Sequence, residues 1–242
     1  MIDLHSHILP GIDDGARTAD DTVAIAKNSF EAGVTHIMCT PHIHLGIFNN
    51  NTESIAKAFL IAQKAITQAS IPIKLSVACE VRICPEIIPL VQNNKLPFIG
   101  EWDGKKALLL ELPHSHVPAG AENLIKWLIK NDIQPVIPHV ERNRDVLAQY
   151  KKAAYLFKLG CLFQVTAGAF VGRFGSDVEA TAWQLLNDDM LCYAASDTHN
   201  VHKRPNDMQV AYEAVKERVG KQIADSMFIN MPTLITQKVN WK

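Results

Sequence analysis

At 242 residues with 48% hydrophobic content, the chain can bury a substantial core and suits one large α/β domain or two small ones. A net charge of −1 with both signs interspersed offers no basic stripe for nucleic acid or an anionic membrane surface. The opening Met1-Ile2-Asp3-Leu4-His5 has no signal-peptide pattern, the apolar runs are too short to span a bilayer, and Ile at position 2 excludes N-myristoylation, so a soluble cytoplasmic protein is expected.

Along the chain, short apolar runs alternate with helical patterns at a step of roughly 30 residues, the size of a βα unit. Residues 2–4 form the first predicted strand and lead into His5-Ser6-His7. The two imidazoles are two residues apart, so at a strand end they point the same way. A lone H-x-H is common, however, and Asp13-Asp14-Gly15 just beyond could be an ordinary turn. Thr18 and Asp21 make a capping box for a helix that Gly33 ends. The second predicted strand, residues 35–40, runs into Thr40-Pro41-His42, where His42 is either a ligand or, like His36 and His44, a loop histidine. A helix is predicted over 52–69, then a strand over 74–79 that closes on Glu80. The strand over 107–110 closes on Glu111 in the same way. An unpaired carboxylate after so apolar a run would be costly, which makes both glutamates hard to dismiss.

Helices are predicted over 119–131, 145–159, 177–187 and 206–219, and strands over 134–138, 161–165 and 191–195. His139 follows the first of these strands and Ser196-Asp197-Thr198-His199 the last, with Arg204 just behind. Candidate ligands thus follow six of seven strands and precede none. An open sheet feeds its site from two or three loops, whereas a closed barrel gathers all strand ends on one rim. The expected fold is a distorted TIM-like (βα)7 barrel forming a single domain over residues 1–242, with 222–242 as a C-terminal extension of uncertain structure. Imidazoles and carboxylates without a thiolate describe a borderline-to-hard metal cluster. The five cysteines lack C-x-x-C spacing and read as buried apolar residues. None has an Arg six residues on, as a thiolate phosphatase requires: those positions hold Leu45, Pro85, Leu90, Ala167 and Thr198.

Taken together, Met1-Ile2-Asp3-Leu4-His5-Ser6-His7-Ile8, Asp13-Asp14-Gly15, Thr40-Pro41-His42, His139-Val140-Glu141-Arg142, Asp197-Thr198-His199 and Arg204 resemble the polymerase-and-histidinol-phosphatase metallohydrolases. Within them they resemble the bacterial protein-tyrosine phosphatases of capsule and exopolysaccharide operons. The resemblance covers almost the whole chain; Val140 stands where that subgroup commonly has Pro, and the 168–175 loop is variable in it. It implies a hydrolase of phosphotyrosine with three divalent metal ions, manganese expected and iron, magnesium or zinc fitting the same donors. His5, His7, Glu80 and Asp197 would hold the first ion. Glu80 would bridge to a second, held also by Glu111 and His139, and Asp14, His42 and His199 would hold the third. Arg142 and Arg204 would clamp the phosphate, while Arg144 reads as a surface residue. The implied partner is a bacterial tyrosine autokinase that drives polysaccharide synthesis, with no nucleic acid and no membrane insertion. A small phosphomonoester such as histidinol phosphate, or a regulator that binds the kinase without turnover, are the alternatives. Phe170, Arg173 and Phe174 either line an aryl slot or pack as ordinary loop residues.

Overall fold

The computed structural model describes residues Met1 to Lys242. Its first half runs β1 (Ile2–Ser6), α1 (Ala19–Glu31), β2 (His36–Cys39), β3 (His42–Ile43), α2 (Thr52–Gln68), β4 (Lys74–Val77), β5 (Glu80–Arg82), α3 (Ile87–Gln92), β6 (Gly100–Trp102) and β7 (Lys105–Glu111). The second half runs α4 (Ala121–Lys130), β8 (Ile133–Ile137), α5 (Arg144–Ala148), α6 (Lys151–Lys158), β9 (Leu162–Thr166), α7 (Ser176–Asn187), β10 (Leu191–Ala195), α8 (Met208–Val219), α9 (Lys221–Asp225) and α10 (Met231–Ile235).

The strands pair in parallel in two stretches, β1-β2-β4 and β10-β9-β8-β7-β5-β3. Two interrupted staves join these stretches. β2 continues through Thr40-Pro41 into β3, and β4 through Ala78-Cys79 into β5. Ala78 N donates to Cys39 O (2.8 Å) and Glu80 N to Pro41 O (3.1 Å), holding the staves together across the breaks. At the other seam, Asp197 N donates to His5 O and His7 N to Thr198 O, both at 2.9 Å. The ring closes as a distorted barrel of seven parallel staves, as expected. β6 is an addition, antiparallel to β7 across the Asp103-Gly104 turn.

Two apolar layers follow from the two-residue period of a strand. In β7, Leu108 and Leu110 face outward into the layer shared with Ile25, Ile55, Ile125, Leu128 and Leu156 of the helices. Ala107 and Leu109 face the barrel interior with Leu4, Met38, Ala78, Val136 and Tyr193. The C-terminal segment, whose structure the sequence left open, seals this interior. Ile235 is buried among these residues, with Met231, Val239 and Trp241 packed beside it. Lys242 and Leu75 exchange backbone hydrogen bonds of 2.8 and 2.9 Å. Gly100 is required here, because a Cβ would stand 2.1 Å from the Ile235 carbonyl oxygen.

Local signals hold where the chain supplies its own partners. Thr18 and Asp21 form the expected capping box at α1. The single helix expected over 145–159 is instead two, because the backbone turns extended at Gln149, whose N–H still bonds Asp145 O at 2.9 Å. α3, between Pro85 and the strands, was not expected. No helix is long and apolar enough to cross a membrane.

Candidate metal centre

Strand ends bring the charged side chains together. The break in β2/β3 sets His42 opposite Glu80, and β5 in turn sets Arg82 opposite Glu111. His139 and Asp197 end their strands in the left-handed region, at φ 40° and 52°, where His and Asp are among the few side chains tolerated. Asp14 comes in on the turn after β1. That turn lies so close to β1 that a Cβ on Gly15 would stand 2.0 Å from His7 O, so only glycine fits.

His5, His7, Asp14, His42, Glu80, Glu111, His139, Asp197 and His199 all gather at this rim, in and beneath a cleft of about 360 Å³. His5 Nε2 is 3.2 Å from Glu80 Oε2, 3.4 Å from Asp197 Oδ1 and 3.2 Å from His7 Nε2. His7 Nε2 is 3.3 Å from Glu80 Oε2. His139 Nε2 is 2.9 Å from Glu80 Oε1, and His42 Nδ1 is 3.1 Å from Glu80 Oε2 and 3.7 Å from Glu111 Oε2. Asp14 Oδ1 is 3.4 Å from both His42 Nε2 and His199 Nε2. Glu80 is therefore the hub. The grouping differs from the one implied by resemblance in two respects: His42 reaches both the Glu80/Glu111 pair and Asp14, and His7 also lies within reach of the Asp14 group.

The donor set fits divalent cations on its own chemistry. His5 Nδ1 stands 2.7 Å from Gln164 Oε1, His7 Nδ1 2.9 Å from Asp13 Oδ2, and His199 Nδ1 2.9 Å from the Asp197 carbonyl. Each of those partners is an acceptor, so each neutral ring carries its proton on Nδ1 and presents a bare Nε2 to the centre. Buried Glu80 Oε2, Glu111 Oε2, His42 Nδ1 and His199 Nε2 make no hydrogen bond at all. Buried lone pairs and carboxylates aimed at one another need positive charge between them.

The charges and burial around these groups shift their proton affinities in opposite directions. Burial opposes charging of His5 and His7, but Glu80 and Asp197 around the first and Asp13 beside the second outweigh it and raise both. Burial likewise works against Asp197 and Glu80, yet Arg204 and His5 hold Asp197, and His5 and His42 hold Glu80, well below the usual carboxylate range. Glu111 goes the other way, pushed up to about 8 by burial and by the charge of Glu80. Burial drives His139 and His199 down to about 4.

Both candidate phosphate clamps meet on one atom. Arg142 Nη1 donates to Asp197 Oδ2 at 2.6 Å and Arg204 Nη2 bonds the same oxygen. Asp197 thereby splits its roles, with Oδ1 toward the imidazoles and Oδ2 anchoring two guanidinium groups. Arg204 Nε is buried and unpartnered, a donor left over. Arg144 is exposed at the start of α5. In the 168–175 loop the three residues part company. Phe170 is core, edge-on to Trp183 at 4.8 Å, and Arg173 is paired with Asp207. Only Phe174 touches a residue of the cleft wall, its ring 4.4 Å from the Arg142 guanidinium. Four cysteines are buried, and burial pushes Cys161 and Cys192 up to about 12, so no thiolate is available there.

Several supporting residues escaped the sequence reading. Gln164 interrupts the apolar run Leu162 to Val165 in β9, a signal that could have marked it. Asp13 was read only as part of a turn. Arg82 Nη2 pairs with Glu111 Oε1 at 3.1 Å, and its two-residue spacing from Glu80 would have put both on one face. Asp3, buried in β1, bonds Ser196 and Asn206 and ties β1 to the segments after β10. Ile47 and Phe48 line the cleft mouth from the turn after His42, for which the sequence held no distinguishing mark.

Known proteins share this architecture. Tyrosine-protein phosphatase YwqE of Bacillus subtilis is 30% identical over 235 residues, 97% of this chain and 91% of the relative. Tyrosine-protein phosphatase CpsB of Streptococcus pneumoniae is 26% identical, covering 97% of this chain and 98% of its own. A solved structure from work on YwqE and CpsB, described as unique metal-dependent tyrosine phosphatases, superposes with a TM-score of 0.90 at 29% identity over 100% of this chain and 97% of that one. A lactonase of Listeria monocytogenes shares the fold alone, with a TM-score of 0.55 at 11% identity. The family described as capsular polysaccharide synthesis, CpsB/CapC, matches residues 1–237, and this chain belongs to it.

Proposed function

We propose that this protein is a metal-dependent phosphoric monoester hydrolase that removes phosphate from phosphotyrosine, on a bacterial tyrosine autokinase governing capsular or exopolysaccharide synthesis. The observation that carries this reading is the convergence of bare imidazole nitrogens and carboxylate oxygens beneath a cleft walled by Arg142 and Arg204. Family membership and the phosphatase relatives support the substrate class.

His5, His7, Glu80 and Asp197 would hold one divalent ion, Glu80, Glu111 and His139 a second, and Asp14, His42 and His199 a third. Manganese is the ion to test first; iron, magnesium and zinc suit the same donors. Bound there, such ions supply positive charge and a water acidic enough to ionise near neutral pH. The protein's own groups do the rest. Gln164 and Asp13 keep the His5 and His7 protons on Nδ1. Asp197 Oδ2 holds both guanidinium forks beside the cleft, so that their free N–H groups meet phosphoryl oxygens with little reorganisation. The same proposal takes the whole 1–242 chain, C-terminal plug included, as one working unit in the cytoplasm.

The test is kinetic. Chelated protein should be inactive, and added manganese should restore hydrolysis of a phosphotyrosyl peptide with kcat/KM well above that for histidinol phosphate. The reverse preference would make it a small-molecule phosphomonoesterase. No turnover of either, with metal bound, would leave a binding role.

A further inference from the structure

The turn that follows β3 exposes apolar side chains at the mouth of the charged cleft. Ile47 is 63% exposed and Leu45 46% exposed. The turn is not loose. His44 N donates to Phe48 O at 3.0 Å and Phe48 N returns to His44 O at 2.7 Å, while Gly46 N is held by Asn49 Oδ1 at 2.8 Å. Phe48 then stacks its ring on that of His42, 5.4 Å between centroids and 8° from parallel. The turn is therefore keyed to a candidate metal ligand, and Ile47 and Phe48 both line the cleft, whereas Leu45 does not. Other exposed apolar side chains, such as Leu60 of α2, line no part of it.

A phosphomonoester entering phosphate-first must seat its phosphate against Arg142 and Arg204, above the metal-binding rim, and leave its organic group at the mouth. An isoleucine held rigidly there loses little conformational freedom when covered and gains by losing water. We propose that Ile47, backed by Phe48, is the wall against which the aryl ring of the substrate lies, so that the 44–48 turn selects phosphotyrosine over ring-free phosphomonoesters. This rests on the phosphotyrosine reading above.

The test uses the full-length, manganese-loaded protein with phenyl phosphate and a phosphotyrosyl peptide as substrates, and inorganic phosphate as a ring-free competitive inhibitor. Ile47→Ser should lower kcat/KM for both aryl substrates by roughly 10-fold, the low end for an apolar pocket contact. The loss should fall on KM, with the inhibition constant of phosphate unchanged. Ile47→Leu should recover most of the activity, and Leu45→Ser should match wild type. Unchanged aryl kinetics in Ile47→Ser, a parallel rise in the phosphate constant, or a change in sedimentation mass in place of kinetics would each overturn the assignment. Wild-type protein that binds phosphate but hydrolyses neither aryl substrate would instead overturn the phosphotyrosine reading.

Discussion

The two ends of the barrel are built from opposite chemistry. The rim after the strands packs imidazoles, carboxylates and two arginines so closely that several buried polar atoms have no partner. The far end is closed by Ile235, Met231, Val239 and Trp241 over an apolar interior. The first arrangement costs stability unless cations fill it, and the second supplies stability with no chemistry of its own. A barrel can afford the rim because the plug and the outer helical layer hold the staves regardless.

Disabling the rim at its hub is the harshest way to probe that division. Glu80→Gln should cut kcat by roughly 10³-fold or more, the top of the range for losing one preorganised group. Elemental analysis should show lowered metal content, while circular dichroism stays native. Next come the arginines: Arg142→Ala and Arg204→Ala should each cost about 10²–10³-fold in kcat/KM. Metal content should stay near wild type, because in either variant the other guanidinium still anchors Asp197 Oδ2. Lysine at either position should restore only part, since it lacks the planar fork. A depleted metal count would show that these arginines serve Asp197 more than the substrate.

At the opposite end, Ile235→Ala should lose about 2–5 kcal/mol of unfolding stability in denaturant titration, as large-to-small core changes do. Its kcat at low temperature should be normal, and loss of kcat would mean the two ends are coupled. Smaller again is the pH response of chelated protein. His5 and His7 are raised above the ordinary 6.5, so the stability they contribute is complete below that value and lost as pH climbs through their folded values. Glu111, raised to about 8, adds the same trend. The Tm of chelated protein should therefore fall from pH 6.5 upward, whereas metal affinity should rise, because metal displaces those protons. A flat Tm would mean the imidazoles are not charged in the empty site. Arg144→Ala, exposed and outside both regions, should change stability by less than about 0.5 kcal/mol.

How much of this was legible in the chain varies by residue. The seven staves were, because each is a short apolar run that ends in a polar residue, and Thr18-x-x-Asp21 announced its own helix. The His, Asp and Glu candidates were legible as a set, since a charge is expensive just after a run such as Ala107 to Leu110. Their grouping was not, as the reach of His42 toward both Glu111 and Asp14 depends on a strand break whose register no local pattern states. The same holds for Phe170, Arg173 and Phe174, near neighbours in one loop that end in the core, on Asp207 and over Arg142.

By itself, then, the sequence determined the repeat, the barrel class and the inventory of candidate ligating side chains, because the spacing of apolar runs and the cost of burying charge are local properties. Tertiary structure decided which lone pairs face one another, that Asp197 serves both imidazoles and arginines, that the last residues plug the barrel, and that Ile47 stands at the cleft mouth. Those facts arise from contacts between segments as much as 203 residues apart, such as Asp3 with Asn206. Only closure of the ring brings such segments within bonding distance.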